Sequence, residues 1–186
     1  GIAACPKHFA VNSQELRRMA SDSIVDERTL REIYLTGFEM VVKEAHPKTI
    51  MSAYNLINGT YANENAHLLQ DILRKDWGFE GAVVTDWGGS NDHALGVKNG
   101  STLEMPCPGD DSIRELVKAV ETGKITEADV DARLEELLEL VFTTKAAVDA
   151  APGKFDADAH HALARRAAAQ SIVLLKNENS LLPLAK

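Results

Sequence analysis

The sequence has few cysteines, few aromatic residues and no long apolar run. Its two cysteines, Cys5 and Cys107, lie far apart and match no metal-ligand spacing, so we expect free thiols, which favours a reducing, cytoplasmic compartment. No apolar run approaches the length of a membrane-spanning helix, and residues 1–20 lack the pattern of a signal peptide. We therefore expect no membrane partner.

Positive charge is also scarce. Lys and Arg number 20 against 28 Asp and Glu, which gives a formal net charge of −8. This balance argues against nucleic acid or an anionic membrane as a partner. No glycine-rich phosphate loop, zinc spacing or Ser/His/Asp arrangement rises above chance, so no cofactor and no metal are expected.

The composition of the sequence is typical of a globular domain, with 45% apolar and 26% charged residues. Its organising feature is a short, buried strand predicted at 82–84, followed by Asp86, Trp87 and two glycines. In parallel α/β proteins, ligands and catalytic side chains collect at the carboxyl ends of the strands. Asp86 is therefore a candidate nucleophile, base or metal ligand, the alternative being a helix cap.

Four strand-then-helix units follow one another along the first two thirds of the chain. Strands are predicted at 2–6, 49–54, 82–84 and 101–105, a turn at Asn58-Gly59, and helices at 27–45 (cap Asp26), 64–75 (cap Asn63), 92–98 and 111–122, the last closed by Gly123. This order implies parallel strands with helices outside them, about half of an eight-stranded barrel. The predicted fold is an α/β, partial TIM-like barrel followed by C-terminal helices.

The character of the sequence changes at Thr126. Thr126 and Asp129 predict a capping box that opens a long helix, and Pro152-Gly153 separates it from an alanine-rich helix at about 158–175. We predict three regions: 1–125 as the second half of the barrel, 126–176 as a helical extension, and 177–186 as a linker towards a further domain. The abrupt start in a strand indicates a piece of something longer.

Several polar and aromatic residues fall at or just past the predicted strand ends, namely Lys7, His8, Tyr54, Asp86 and Trp87. If the strands are parallel neighbours, these side chains converge on one rim. A carboxylate, hydrogen-bond donors and an indole face suit an uncharged, polyhydroxylated ligand. The ordinary alternatives are a solvated lysine, a structural histidine and core aromatics.

A glycosidase needs two carboxyl groups, one to attack or to activate water and one to protonate the leaving oxygen. The second carboxyl group is a gap in this pattern: Glu104 lies on the fourth predicted strand, but Asp92 and the run 109–111 look like cap and loop residues. Arg18 lies in a charged stretch and by itself indicates a surface residue.

Several motifs in order resemble glycoside hydrolase family 3, specifically its β-glucosidase branch. They are Lys7-His8-Phe9 with Asn12, Gln14-Glu15 and Arg18; Met51-Ser-Ala-Tyr54-Asn55 with Asn58-Gly59; Trp77-Gly78-Phe79; Val84-Thr85-Asp86-Trp87-Gly88; Leu103-Glu104-Met105-Pro106; and Ser171-Ile-Val-Leu-Leu-Lys-Asn177. The resemblance covers nearly the whole chain. It implies a retaining β-glucosidase acting on a β-glucoside or oligosaccharide.

The resemblance also implies residue roles. Asp86 matches the catalytic nucleophile that forms a covalent glycosyl-enzyme. The sugar subsite it implies consists of Lys7, His8, Arg18, Met51, Tyr54 and Trp87, with Trp87 as the aromatic wall. It places the acid/base glutamate in a second, α/β domain and further sugar-binding residues in the first half of the barrel. We therefore expect the isolated chain to be nearly inactive and to self-associate through open sheet edges.

Other interpretations stay open at this point. The parent protein could act on β-xylosides or α-arabinofuranosides within the same family. A Schiff-base lyase would use Lys7 as the nucleophile and Asp86 as its base. A receiver-type module would use Asp86 as a phosphoacceptor, although the acidic pair expected after its first strand is missing. A non-catalytic sugar-binding fragment is the fourth alternative.

Overall fold

The computed structural model describes residues 1–151 and 153–184, so Pro152 of the predicted chain break lies outside the described residues. The chain divides into two compact units, Gly1–Ala150 and Ala151–Lys186. Among the described residues, no helix combines the length and apolar character that a bilayer crossing requires. The three regions predicted from the sequence stay a prediction.

The first unit contains five strands and five helices. The strands are β1 (Asp22–Ser23), β2 (Thr49–Met51), β3 (Leu56–Ile57), β4 (Thr60–Tyr61) and β5 (Ala82–Val84). The helices are α1 (27–45), α2 (His67–Asp76), α3 (His93–Asn99), α4 (Asp110–Glu121) and α5 (Glu127–Ala150), with a single 3-10 turn at Ala62–Glu64. Helix α1 alternates α and π geometry over Glu27–Thr29, Leu30–Leu35, Thr36–Met40 and Val41–Ala45, and α2 has π geometry throughout.

A parallel sheet lies at the centre of this unit. β2 pairs with β5 in parallel, with Ile50 opposite Val83. Single parallel bridges extend the sheet on both sides, from Phe9 to Ser52 and from Val84 to Leu103. The connections between these segments run through helices, as is usual for parallel pairing. This parallel sheet with helical connections confirms the predicted α/β class.

The first predicted strand, residues 2–6, does not form as a regular strand. Met51 N donates to Pro6 O at 3.0 Å and Thr49 Oγ1 donates to Ala4 O at 3.0 Å, but Pro6 has no N–H to return. The pairing is therefore reduced to the single bridge at Phe9, whose N–H donates to Met51 O at 2.8 Å.

The fourth predicted strand, 101–105, is reduced to one bridge. Thr102 N and Leu103 N both donate to Val83 O, at 2.8 and 3.0 Å, while Thr102 Oγ1 accepts from Val83 N at 2.9 Å. Two residues therefore oppose one, and a hydroxyl replaces a backbone carbonyl in the ladder, as in a β-bulge. The sequence pattern did not reveal this substitution.

The helix caps confirm one prediction and correct another. Asp26 caps α1, because Thr29 N donates to its Oδ1 at 3.0 Å. Asn63 does not cap α2; that role belongs to Asn65, whose Oδ1 accepts from Leu68 N at 3.0 Å. The Asn63 side chain is instead buried and accepts a hydrogen bond from Ser52 Oγ at 2.9 Å.

The core forms where α1 and α2 pack on the sheet. Leu68, Leu69, Ile72 and Leu73 of α2 are at most 1% exposed, as their helical spacing predicts. The Phe9 ring packs edge-on against Phe38 at 5.1 Å between centroids and is tilted at 5.8 Å from Trp77. Burying each such side chain contributes about 1.5–3 kcal/mol to folding.

The remaining turns and helices follow local signals. Asn58 (φ 50°) and Gly59 (φ 87°) form the predicted turn, which makes β3 and β4 a hairpin. The capping box of α5 is confirmed, with Asp129 N donating to Thr126 Oγ1 at 3.2 Å and Thr126 N to Asp129 Oδ2 at 2.8 Å. In the second unit, α6 (Ala157–Ser171) ends before its predicted limit of 175.

Apolar β-branched residues explain that early end. Ile172 is already extended, with φ −82° and ψ 121°, and Val173 follows it. β-Branched side chains lose more rotamer freedom in a helix than in an extended segment. A single 3-10 turn at Glu178–Ser180 follows in the tail.

A cluster of buried charges joins α2 to α5. Glu136 accepts from Arg74, with 2.9 Å from Oε1 to Nη1, and lies 2.7 Å from Arg133 Nη2. Its Oε2 also accepts from Thr102 Oγ1 at 2.5 Å. Burial raises the pKa of Glu136 and lowers the pKa of Arg74, because desolvation disfavours both charges. No local pattern in the sequence predicted this cluster.

Asp92 gives a prediction about pH. Its Oδ1 accepts from Leu95 N at 2.9 Å, which confirms it as the cap of α3, and Lys124 Nζ lies 2.7 Å from Oδ2. The Lys124 hydrogen bond lowers the pKa of Asp92 below 3.8. The ionised carboxylate therefore stabilises the folded protein above about pH 4, and this stabilisation is lost as pH falls through the lowered pKa. Asp92→Asn retains the cap, so we expect a loss of at most about 1 kcal/mol at pH 7 for this partly exposed pair.

Urea denaturation of wild type and Asp92→Asn at pH 7 and near pH 2 measures this contribution. The difference between the two proteins should disappear at the lower pH. A difference that is equal at both pH values would contradict an electrostatic origin.

Candidate active site

Asp86 lies just beyond β5 on a backbone that is fixed on both sides. Thr85 N donates to Leu103 O at 3.0 Å, so the sheet pairing continues to the residue before Asp86. Asp86 itself is 9% exposed, and its Oδ1 accepts from Trp87 N at 2.8 Å. His8 Nε2 lies 3.3 Å from its Oδ2. A nearly buried carboxylate thus has one oxygen held by an amide and the other facing an imidazole.

The loop after Asp86 turns back on itself. Gly89 N donates to Asp86 O at 2.9 Å, and Gly88 adopts φ 75°, a conformation that favours glycine. A Cβ at Gly89 would lie 3.1 Å from Asp86 O, closer than an ordinary van der Waals contact. The turn leaves Trp87 half exposed, with its indole available to a ligand.

Tyr54 joins this loop to a charged residue. Its hydroxyl donates to Trp87 O at 2.7 Å, and the Arg18 guanidinium carbon lies 4.5 Å from the centre of its ring. Arg18 is in turn paired with Glu15 at 2.7 Å. Burial and then the nearby Asp86 carboxylate raise the pKa of Tyr54, so the phenol remains a hydrogen-bond donor at neutral pH.

The structure therefore brings five of the seven predicted site residues into one chain of contacts: Asp86, His8, Trp87, Tyr54 and Arg18. Met51 ends β2 and is half-buried. Lys7 is exposed, and among the described residues its side chain makes no hydrogen bond or ion pair. The main-chain bonds between Met51 and the segment 6–9 hold Lys7 and His8 at the end of the sheet.

Glu104, the acidic residue of the fourth predicted strand, pairs with a histidine of α3 and not with the residues around Asp86. Its Oε2 lies 2.9 Å from His93 Nδ1, and His93 Nε2 lies 3.6 Å from Glu115. Within residues 1–151 and 153–184, no three His, Cys, Asp or Glu side chains lie close enough to hold a metal ion. Cys5 and Cys107 are free and exposed.

The comparison with known proteins assigns the family. The family model described as "Glycosyl hydrolase family 3 N terminal domain" matches residues 1–140. The chain belongs to glycosyl hydrolase family 3. The motifs around Lys7-His8, Tyr54 and Asp86 lie inside the matched range, so the family resemblance of the sequence is confirmed.

Curated family 3 proteins resemble the chain along its whole length. It is 48% identical to a thermostable beta-glucosidase B from Acetivibrio thermocellus, over 100% of this chain and 24% of that protein. It is 45% identical to an exo-alpha-(1->6)-L-arabinopyranosidase from Bifidobacterium breve, over 99% of this chain and 24% of that protein. The chain therefore spans about a quarter of the length of these relatives.

A solved family 3 structure has a similar fold. Beta-glucosidase 3B from Thermotoga neapolitana, described in complex with alpha-D-glucose, superposes with a TM-score of 0.82 at 39% identity, covering 100% of this chain and 27% of that chain. The two parallel pairings beside β2 and β5 agree with a partial α/β architecture of the family 3 type.

Proposed function

We propose that this chain is part of a retaining β-glucosidase that hydrolyses terminal β-D-glucosyl residues through a covalent glycosyl-enzyme on Asp86. The observation that carries the proposal is the position of Asp86: a 9% exposed carboxylate beyond the end of a buried parallel strand, next to an exposed indole. The relatives named as beta-glucosidases support glucose as the sugar.

In the proposed reaction, an Asp86 carboxylate oxygen attacks the anomeric carbon while the bond to the leaving oxygen breaks. The leaving oxygen takes a proton from a carboxylic acid that we place outside this chain. Water then attacks the same carbon as the ester bond to Asp86 breaks, and the proton lost by the water returns to the carboxylate that served as the acid. Two inversions give net retention of configuration.

The neighbours of Asp86 suit the binding of a sugar. The Trp87 indole offers an apolar face to the C–H side of a pyranose ring, and His8 and Lys7 can donate to its hydroxyl groups. Tyr54 fixes the backbone of Trp87, and Arg18 covers the Tyr54 ring. Met51 supplies apolar lining at the end of β2. These roles form one subsite for the non-reducing sugar.

A panel of aryl glycosides tests the proposal on the full-length protein carrying this chain. We expect the highest kcat/KM for the β-glucoside, and proton NMR should detect β-glucose as the first product. First formation of α-glucose would contradict a retaining mechanism. Turnover of only β-xylosides or α-arabinofuranosides would favour that alternative within the family. Turnover of only α-L-arabinopyranosides would favour the activity named for the Bifidobacterium breve relative.

The isolated 186-residue chain is expected to hydrolyse the same aryl β-glucoside poorly. General acid catalysis contributes about 10²–10⁴-fold, and the absent binding groups add to the loss. We measure turnover of the isolated chain and of the full-length protein at equal molarity. Equal rates would refute the proposal that the site in the isolated chain is incomplete.

Sedimentation at the assay concentration tests the further proposal that open sheet edges cause self-association.

The remaining alternatives are separated by two simple assays. Borohydride reduction with a carbonyl substrate would trap Lys7 if it formed a Schiff base. Sugar binding without turnover by the full-length protein would favour a binding module.

A further inference from the structure

A buried glutamate holds the far end of the loop that follows Asp86. This loop, residues 87–91, ends where Asn91 N and Asp92 N both donate to Glu64 Oε1, each at 2.7 Å. Such distances are typical of hydrogen bonds to a charged acceptor. We propose that Glu64 is a positioning residue, which fixes the loop that presents the Trp87 indole beside Asp86.

The near end of the loop is fixed independently. Trp87 N donates to Asp86 Oδ1, and Trp87 O accepts from the Tyr54 hydroxyl. With both ends held, the backbone between them has little freedom. Release of the end at Glu64 should therefore loosen residues 88–91 first and, through them, the orientation of the Trp87 indole, while the sheet still holds Asp86.

Glu64 is suited to this role because it is buried and its own backbone is hydrogen-bonded. It is 5% exposed, and its backbone oxygen accepts from Asn99 Nδ2 at 2.6 Å, at the last turn of α3. The preceding residue, Asn63, accepts from Ser52 Oγ just after β2. Removing the carboxylate would leave the Asn91 and Asp92 amides without this acceptor, so the far end of the loop would open more often.

The inference rests on the proposed function of Asp86 and Trp87. A displacement of about 1 Å in a binding group can reduce activity by about 10²-fold. For Glu64→Ala we expect kcat/KM for the aryl β-glucoside to fall by about that factor, mostly through a higher KM. Glu64→Gln keeps an acceptor oxygen and should give an intermediate loss.

The matched control is Asp129→Ala. Asp129 also accepts from a backbone amide, Thr126 N at 2.8 Å, and among the described residues its side chain makes no hydrogen bond or ion pair to the 87–91 loop. The Asp129→Ala substitution should reduce thermal stability while KM stays at the wild-type value. A merely structural role for Glu64 would produce the same result as this control.

The decisive experiment combines kinetics with hydrogen exchange of the full-length protein, below the melting temperature of every variant. In Glu64→Ala, amides of residues 87–92 should exchange at least about 10-fold faster than in wild type, with KM raised in parallel. Unchanged exchange and unchanged KM would overturn the inference. If wild type hydrolyses no glycoside, the proposed function fails, and the exchange rates alone decide whether Glu64 holds the loop.

Discussion

Replacing Asp86 by Asn is expected to reduce kcat/KM for an aryl β-glucoside by about 10⁴-fold or more in the full-length protein. Asn has nearly the same shape, and its amide oxygen can still accept from Trp87 N, as Asp86 Oδ1 does at 2.8 Å. It cannot form the glycosyl ester, because a neutral amide is a poor nucleophile. The loss should therefore appear in kcat, with little change in folding.

A rescue experiment separates loss of the nucleophile from a general disturbance. With Asp86→Gly, azide can enter the vacated space and attack the anomeric carbon of a substrate with a good leaving group. The expected product is the α-glucosyl azide, because only one inversion occurs. Asp71→Asn, an exposed aspartate of α2 paired with Lys75, is the matched control and should retain wild-type turnover. A fully active Asp86→Asn would refute the assignment.

Replacing Glu136 by Ala is expected to lower the free energy of unfolding by about 3–5 kcal/mol, because two largely buried guanidinium groups lose the carboxylate that neutralises them. The side chains of Arg74, Arg133 and Glu136 are each only 12–13% exposed. The raised pKa of Glu136 and the lowered pKa of Arg74 both indicate that desolvation weighs heavily in this cluster.

Because the desolvation cost offsets much of the attraction between these charges, removing all three should be less harmful than removing one. Replacing all three residues by apolar side chains of similar volume, as Arg74→Met, Arg133→Met and Glu136→Leu, should cost much less than Glu136→Ala alone. Urea denaturation measures both, with Glu139→Ala, an exposed residue of the same helix, as the control. A loss below about 1 kcal/mol for Glu136→Ala would contradict this account of the cluster.

The sequence was sufficient where the signal is local. A short apolar run between Gly81 and a polar stop predicted β5 and the position of Asp86. Helical spacing likewise predicted the buried face of α2, and turn and cap residues predicted the turn at Asn58-Gly59 and the start of α1. These features depend on neighbours within a few positions, and the structure agrees with them.

The sequence was insufficient where side chains replace the backbone or act over long distances. Thr102 Oγ1 occupies a ladder position, so the predicted strand 101–105 became a bulge. The run Asn63-Glu64-Asn65 offers two caps, and burial of Asn63 against Ser52 decided for Asn65. Arg74 and Glu136 are 62 positions apart, and only the fold brings them together.

The most direct measurement labels the nucleophile itself. The full-length protein is incubated with an activated 2-deoxy-2-fluoro-β-glucoside, which forms the ester readily but hydrolyses slowly, and the labelled peptide is mapped by mass spectrometry. We predict one fluoroglucosyl group on Asp86, matched by loss of activity. A protein that hydrolyses β-glucosides but carries the label on another residue would contradict the central claim.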